Sequence, residues 1–288
     1  MSRPTISFEF FPPQSLEASF RLWDTVNTLS PLDPAFVSVT YGAGGTTRTL
    51  THEAVETLGQ SMGLDVAAHL TCVDATRSET LEIAQNYARA GVKRIVALRG
   101  DPPKGAGSFQ PHSDGFSDAS ELVSALAETG DFEITVGAYP DAHPDAAYDG
   151  ADIDWLKRKI DAGATNAITQ FFFEAETFLR FRDRCAEAGI EAEIIPGILP
   201  IENWKGTKRF AKRCGARIPA TLSAMFDTAE RDGRTDLLST AVCTELCTEL
   251  LEEGVNHLHF YTLNKPGLTR DVVHALGLAP DISLSKVA

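Results

Sequence analysis

Two hydrophobic periods alternate along this chain. Short apolar or β-branched runs are followed by longer stretches in which apolar residues recur at i, i+3 and i+4, so strands and amphipathic helices are expected to alternate. The short runs predict eight strands: Ile6–Phe10, Phe36–Thr40, Val66–Thr71, Arg94–Leu98, Glu133–Tyr139, Ala167–Phe171, Glu193–Pro196 and His257–Tyr261. The longer stretches predict helices, among them Ser78–Ala90, Leu122–Thr129, Ile153–Ala162, Glu176–Ala188 and Leu237–Glu253.

Glycines mark the ends of the helical stretches. They stand at Gly63, Gly91, Gly130, Gly163, Gly189 and Gly254, where a glycine adopts the left-handed capping conformation at little cost. Strict alternation requires parallel strands joined by crossover helices, and eight strands favour closure into a TIM barrel over an open doubly wound sheet. The sequence therefore predicts an α/β fold in which residues 1–288 form a single (β/α)8 TIM barrel, since no low-complexity linker divides the chain.

Composition narrows the classes of partner. The net charge of −14 and the pI near 4.9 disfavour a nucleic-acid partner, because phosphate binding needs clustered Lys and Arg. No apolar run approaches the roughly 20 residues that cross a bilayer, and Met1-Ser2-Arg3-Pro4 leads into a strand without a signal-like apolar segment. We therefore expect a cytoplasmic protein. The five cysteines lack CxxC spacing, which indicates neither a disulfide framework nor a zinc knuckle.

Polar residues collect where the predicted strands end. In a TIM barrel the carboxyl ends of the strands form the active-site rim. The residues concerned are Thr40, Tyr41, His69, Arg99, Gly100, Asp101, Tyr139, His143, Gln170, Tyr261 and Lys265. This distribution predicts a rim that binds a polar ligand of considerable size.

The first predicted strand carries a carboxylate in an apolar setting, Ser7-Phe8-Glu9-Phe10-Phe11-Pro12-Pro13. Alternation places Glu9 on the same strand face as Ser7. A carboxyl group held between aromatic side chains is partly desolvated, which raises its pKa and suits a general acid. A Glu that pairs with Arg or Lys inside the barrel is the alternative, and this segment alone leaves both open.

Four other patterns bear on nucleotide, phosphate or metal binding. Gly42-Ala43-Gly44-Gly45 lacks the third glycine of the dinucleotide fingerprint, and Gly100 to Gly105 lacks the Lys and Ser/Thr of a P-loop. Lys157-Arg158-Lys159 could hold a phosphate or pyrophosphate, or could form a solvated helix face. His257 and His259 share a strand face but have no Asp, Glu or Cys at ligand spacing, which favours a structural role over a metal site.

Eight strings, in this order and spread from end to end, resemble the bacterial methylenetetrahydrofolate reductase family: SFEFFPP, FVSVTYGAGGTTR, AHLTC, VALRGDPP, AYPDAHP, LKRKIDAGATNAITQFFF, IIPGILPI and HFYTLNK. The resemblance implies a TIM barrel with tightly bound, non-covalent FAD. NADH or NADPH would reduce this FAD in a ping-pong cycle. The FAD would then reduce 5,10-methylenetetrahydrofolate to 5-methyltetrahydrofolate, which supplies methyl groups for methionine synthesis. Members are commonly homo-oligomers.

The resemblance also assigns roles to single residues. Glu9 would be the general acid, and Asp101 would lie near the flavin and favour the cationic form of the folate substrate. Thr40, Gln170, Phe210 and Lys265 match positions that contact nicotinamide or folate. Positions that contact flavin are matched by Tyr41, Ala43, His69, Arg99, Gly100, Asp101, Ala119, Tyr139, His143, Ala146, Asp152, Arg158 and Lys159.

Two residues depart from the family pattern. Trp155 stands where many relatives have Asn against the flavin, and Gly206 stands near a position that often carries a Gln in contact with folate.

Two alternatives to this reductase function are a barrel flavoenzyme that acts on another carbon–nitrogen bond, and a flavin- or folate-binding regulator without catalysis. No motif decides between NADH and NADPH.

Overall fold

In the computed structural model, residues 3–41, 48–101 and 109–280 are described. Within them nine strands form one parallel sheet in the order β7-β6-β5-β4-β3-β2-β1-β9-β8. Strands β1 to β9 are Thr5–Phe10, Phe36–Val39, Val66–Thr71, Arg94–Leu98, Glu133–Ala138, Asn166–Thr169, Glu193–Ile195, Gly197–Ile198 and His257–Tyr261. Each of the eight predicted strands overlaps one of these, which confirms the α/β barrel.

The predicted strand Glu193–Pro196 is divided at its proline. β7 pairs with β6, whereas β8 pairs with β9, so the short stretch that contains both strands completes the ring. Pro196 has no N–H for the ladder, but its carbonyl oxygen accepts a hydrogen bond of 3.0 Å from the N–H of His259. Ending the strand at Pro196 was therefore wrong, because the pairing changes sides there and continues.

The helices lie outside the ring. Helices α1 to α10 are Leu16–Leu29, Arg48–Glu56, Arg77–Arg89, Ala119–Thr129, Ala151–Asp161, Ala175–Glu187, Trp204–Cys214, Ala220–Asp232, Thr235–Glu252 and Pro266–Ala275. All six glycines predicted to end helices have φ between 68° and 120°. Among the described helices, none is long and apolar enough to cross a membrane.

Strand β1 separates the outer core from the barrel interior. Ile6, Phe8 and Phe10 are buried in the apolar cluster formed with the surrounding helices. Ser7 is also buried, and Ser7 and Glu9 occupy the alternate positions. The two phenylalanines therefore lie on the opposite face from Glu9, and β1 directs this carboxyl group into the barrel.

A tyrosine spans the seam of the barrel. Tyr261, at the end of β9, donates a hydrogen bond of 2.6 Å from its Oη to the carbonyl oxygen of Thr169, at the end of β6. Its ring crosses Gly197 on the way, and a Cβ atom at Gly197 would lie only 2.1 Å from that carbonyl oxygen and 2.5 Å from the tyrosine ring. Only glycine fits beneath this bridge.

Candidate active site

Side chains at the carboxyl ends of the strands surround the mouth of the barrel. Thr40, Tyr41, Arg99, Tyr139 and Gln170 follow four different strands and are half-buried. Parallel strands bring their carboxyl ends to the same edge, so the predicted rim exists as one surface. The interior beneath it is filled by the cluster of Phe36, Ala67, Val96, Ile168 and Ile195.

Glu9 lies just below this mouth. Its side chain is 15% exposed, its carbonyl oxygen accepts a hydrogen bond of 2.6 Å from Thr262 Oγ1, and it stands opposite Tyr261 in the pairing register. Burial raises the pKa of this carboxyl group to about 8. The Glu9 carboxyl group is desolvated, as the sequence predicts. The barrel interior causes this desolvation, and the neighbouring phenylalanines do not.

His69 is the basic group nearest to Glu9. Its Nε2 atom lies 3.4 Å from Glu9 Oε2, but burial lowers the pKa of His69 to about 3. Near neutral pH both groups are therefore uncharged. Among the described residues no Lys or Arg forms an ion pair with Glu9, so the arrangement supports the protonated carboxyl group over the paired carboxylate.

The pKa of Glu9 predicts a dependence of stability on pH. The folded protein keeps this proton up to about pH 8, whereas the unfolded chain releases it near its ordinary value of 4.5. Stability should therefore fall as pH rises through this interval. We expect Glu9→Gln to remove that part of the fall, measured as urea unfolding free energy from pH 5 to pH 8. Parallel curves for wild type and variant would contradict the raised pKa.

Arg99, Gly100 and Asp101 follow β4 at the rim. Arg99 donates a hydrogen bond of 3.0 Å to the carboxylate of Asp145. Gly100 has a φ of 86°, and a Cβ atom there would lie 2.8 Å from the Val73 side chain, so this turn requires glycine. Asp101 is exposed, but its charge acts on the site. Burial of Tyr139 raises the pKa of its hydroxyl group to about 12, and the charge of Asp101 contributes to this increase.

A connected group of side chains follows β5. The rings of Tyr139 and His143 meet edge to face at 4.5 Å, and the backbone N–H of His143 donates to the carboxylate of Asp152 at 3.2 Å. His143 Nδ1 accepts a hydrogen bond of 2.9 Å from the N–H of Asp145. Because burial also lowers the pKa of His143, its ring is neutral, with the proton on Nε2. Trp155 lies edge-on to this ring at 6.0 Å.

The three consecutive basic residues of α5 have different surroundings. Lys157 forms an ion pair with Asp161 one turn later, and Arg158 is exposed. Lys159 turns inward, where its Nζ donates to the carbonyl oxygen of Gly137. Burial lowers the pKa of Lys159 to about 8, against the opposing effect of Asp152. The solvated-face interpretation therefore fits Lys157, while Lys159 supplies positive charge to the site.

The side of the mouth that follows β6 is aromatic. Gln170 Oε1 accepts a hydrogen bond of 3.0 Å from the N–H of Phe171, and the Phe171 ring lies 4.9 Å from that of Phe210 on α7. Arg213 lies over Phe210 at 5.0 Å. Lys265 is exposed at the N-cap of α10. This side therefore combines the half-buried ring of Phe210 with two cationic side chains.

The remaining predicted positions are placed as follows. Ala119 is the first residue of α4, and the N–H of Ala146 donates to the carbonyl oxygen of His143 at 2.8 Å. The N–H of Gly206 donates to Asn203 Oδ1 at 2.7 Å at the start of α7. Ala43 lies outside the described residues.

A hydrogen-bonded group inside the lower barrel could not be predicted from the sequence. Ser7 Oγ lies 2.8 Å from His257 Nε2 and 2.7 Å from His259 Nδ1. Alternation places Ser7 and Glu9 on one face of β1, and His257 and His259 on one face of β9. Only the pairing of β1 with β9 shows that Ser7 lies next to the two histidines. In the described part of the chain, no group of three or more His, Cys, Asp or Glu side chains could hold a metal ion.

Comparison with known proteins gives concordant matches. Residues 1–277 match the family described as methylenetetrahydrofolate reductase. The chain is 46% identical over 282 residues to 5,10-methylenetetrahydrofolate reductase of Pectobacterium carotovorum subsp. carotovorum, covering 98% of this chain and 93% of that one. It is 47% identical over 278 residues to the enzyme of the same name from Escherichia coli K12, covering 96% and 92%.

One solved structure has a similar fold. It is an uncharacterized protein from Clostridium thermocellum described as binding two copies of 5-methyl-5,6,7,8-tetrahydrofolic acid. The TM-score is 0.59 and the identity 14%, and the match covers 96% of each chain. At this identity the likeness shows the fold alone.

Proposed function

Because this chain belongs to the methylenetetrahydrofolate reductase family and is an oxidoreductase, we propose that it reduces 5,10-methylenetetrahydrofolate to 5-methyltetrahydrofolate with FAD and NADH or NADPH. The observation that carries the proposal is Glu9, a carboxyl group that keeps its proton to about pH 8 at the mouth of the barrel. The fold relative from Clostridium thermocellum, described as binding 5-methyl-5,6,7,8-tetrahydrofolic acid, supports a folate ligand.

The folate step needs a proton as well as a hydride. The five-membered ring of the substrate opens when a nitrogen leaves carbon, and this nitrogen must be protonated as the bond breaks. Protonated Glu9 supplies that proton from its carboxyl oxygen. Its raised pKa matches the operating pH, as efficient general acid catalysis requires.

The residues of the β4 and β5 side fit FAD. A half-buried lysine whose ammonium group donates to a carbonyl oxygen is stabilised further by an anion, and the FAD pyrophosphate is such an anion. Lys159 would hold it, with Arg158 at the exposed end. Tyr139, His143 and Asp152 would contact the remainder, and His69 offers a buried Nε2 atom that has no hydrogen-bond partner among the described residues. When bound, FAD would accept a hydride from the nicotinamide and later pass it to the folate.

The aromatic side of the mouth suits two successive ligands. The half-buried ring of Phe210, which packs on the buried Phe171, provides a face against which either a nicotinamide or a pterin ring can pack. Thr40 and Gln170 provide polar contacts, and exposed Lys265 can pair with the carboxylates of a folate. One surface therefore serves both substrates in turn, which is a ping-pong cycle.

Asp101 contributes fixed negative charge at the same mouth. Its influence reaches Tyr139, whose pKa it raises after the larger effect of burial. A negative charge here stabilises the cation that forms when the folate ring opens. We further propose that residues 1–288 form one catalytic domain and that the protein is a cytoplasmic homo-oligomer. Its product would supply methyl groups for methionine synthesis.

The visible spectrum of the purified protein tests the proposal. We expect a yellow protein that bleaches when NADH or NADPH is added anaerobically and regains its colour when methylenetetrahydrofolate follows. A colourless protein that binds no added FAD would refute the flavin-dependent mechanism. Bleaching that only another imine or carbon–nitrogen substrate reverses would refute folate as the substrate.

A further inference from the structure

We propose that Asp141 is a positioning residue, which holds the end of helix α7 and thereby fixes the ring of Phe210 relative to the flavin side of the mouth. The flavin side is the part that follows β4 and β5. Phe210 contacts the nicotinamide and the folate in turn under the proposed function, so this inference rests on that function. Asp141 acts on both substrates through Phe210.

The segment between β5 and α5, residues 139–150, is fixed to the flavin side. The carboxylate of Asp145 accepts a hydrogen bond of 3.0 Å from Arg99, which follows β4. The N–H of Asp145 donates to His143 Nδ1 at 2.9 Å, and the N–H of His143 donates to Asp152 on α5 at 3.2 Å. Residues proposed to contact FAD therefore determine where this segment lies.

The end of α7 packs against the same segment. The backbone N–H of Arg217, just after the helix, donates a hydrogen bond of 3.0 Å to Asp141 Oδ2. Gly215 ends α7 with a φ of 78°. A Cβ atom at Gly215 would lie 2.9 Å from the carbonyl oxygen of Ala142 and 3.3 Å from the Pro144 ring. The helix end and the segment are therefore in close contact, and the Asp141 carboxylate bonds them together.

Phe210 lies on α7 near this end, and its ring is 4.9 Å from that of Phe171. The start of the helix is held elsewhere, because the buried Trp204 donates from Nε1 to Asp227 on α8 at 2.9 Å. A helix is a rigid element that carries a constraint from one end to a residue along it. The bond at Asp141 therefore sets where the Phe210 ring stands relative to the flavin side.

Arg217 makes a second contact that provides a matched control. Its guanidinium group donates to Glu174 at 3.0 Å, and these side chains are 63% and 43% exposed. An exposed ion pair of this kind contributes little. Loss of the Glu174 carboxylate leaves the backbone bond to Asp141 in place, so the two contacts of Arg217 can be tested separately.

Asp141→Ala should weaken both half-reactions in the same way. Anaerobic stopped-flow absorbance, with NADH and then methylenetetrahydrofolate varied, gives a half-saturating concentration and a limiting rate for each. We expect both half-saturating concentrations to rise about fivefold or more, as when a group that positions substrate is displaced. The limiting rates should stay within about twofold, because Glu9 and the flavin are unchanged. The FAD content should equal that of wild type.

Two further variants locate the effect. Asp141→Asn keeps an oxygen that accepts from the Arg217 N–H, so it should restore half-saturating concentrations close to those of wild type. Glu174→Ala should leave both concentrations unchanged. An Asn variant as impaired as the Ala variant would overturn the proposal, as would an equal rise in Glu174→Ala.

A double-mutant cycle with Phe210→Ala tests whether Asp141 acts through this ring. Once the ring is absent, Asp141→Ala should change the half-saturating concentrations by less than about twofold, because coupled residues are not additive. An equal factor in the presence and absence of the ring would overturn the positioning role. Loss of FAD from Asp141→Ala would also overturn it, since the residue would then support the flavin site. A wild-type protein that fails to bleach with NADH or to recover with folate would overturn the proposed function instead.

Discussion

Glu9→Gln should abolish reduction of methylenetetrahydrofolate while flavin reduction by NADH proceeds at its normal rate. Glutamine has nearly the shape of protonated glutamic acid but cannot release a proton to the folate nitrogen. Removal of a general acid costs about 10²–10⁴-fold in rate. Hydride transfer from NADH to the flavin needs no proton from this position, so the two half-reactions should separate completely.

Anaerobic stopped-flow absorbance measures both halves in the same sample. In wild type, reoxidation by folate should slow as pH rises above about 8, because Glu9 then loses its proton, and Glu9→Gln should lack this dependence. The NADH half-reaction is the internal control. Loss of both halves would show that Glu9 holds the site together, and unchanged folate reduction would exclude it as the acid.

Gly197→Ala should be among the most destabilising single-methyl additions in this barrel. The added carbon would lie 2.1 Å from the carbonyl oxygen of Thr169 and 2.8 Å from the hydroxyl of Tyr261. Neither group can move without breaking the hydrogen bond between them. Overpacking and the lost bond together should lower the free energy of unfolding by about 3 kcal/mol or more.

Urea unfolding compares this variant with Gly267→Ala. A Cβ atom at Gly267 meets nothing within 4 Å, and this residue lies in α10, so the control should stay within about 0.5 kcal/mol of wild type or gain slightly. Tyr261→Phe removes only the hydroxyl group, so its free energy of unfolding should lie between those of the two glycine variants. Equal midpoints for Gly197→Ala and Gly267→Ala would show that Tyr261 does not constrain the seam.

The strands and helix ends could be predicted because their signals are local. Gly130, for example, directly follows an amphipathic stretch, and it ends that helix in the left-handed conformation. The end predicted at Pro196 was wrong because the missing N–H is a local signal, whereas the Pro196 carbonyl oxygen still accepts a hydrogen bond from the N–H of His259. That contact depends on a strand far away in the sequence.

The site was predicted less completely because its properties depend on contacts between distant residues. Alternation predicted which face of β1 carries Glu9. It did not show that the barrel interior, with His69 and Tyr261 nearby, desolvates the carboxyl group, because the neighbouring phenylalanines lie on the opposite face. The separation of Lys157 from Lys159 depends on which face of α5 meets β5. Most assignments from the family resemblance remain predictions until ligands are measured.

The pairing of β1 with β9 makes the protonated carboxyl group of Glu9 a late product of folding. Ser7 and His259 are 252 residues apart, and contacts at such separation are slow to form because a long loop must close first. During synthesis Glu9 emerges early, yet Tyr261 can join it only after nearly the whole chain has left the ribosome. Until then the carboxyl group is hydrated and ionised near neutral pH. Barrel closure and the gain of its proton are therefore one event.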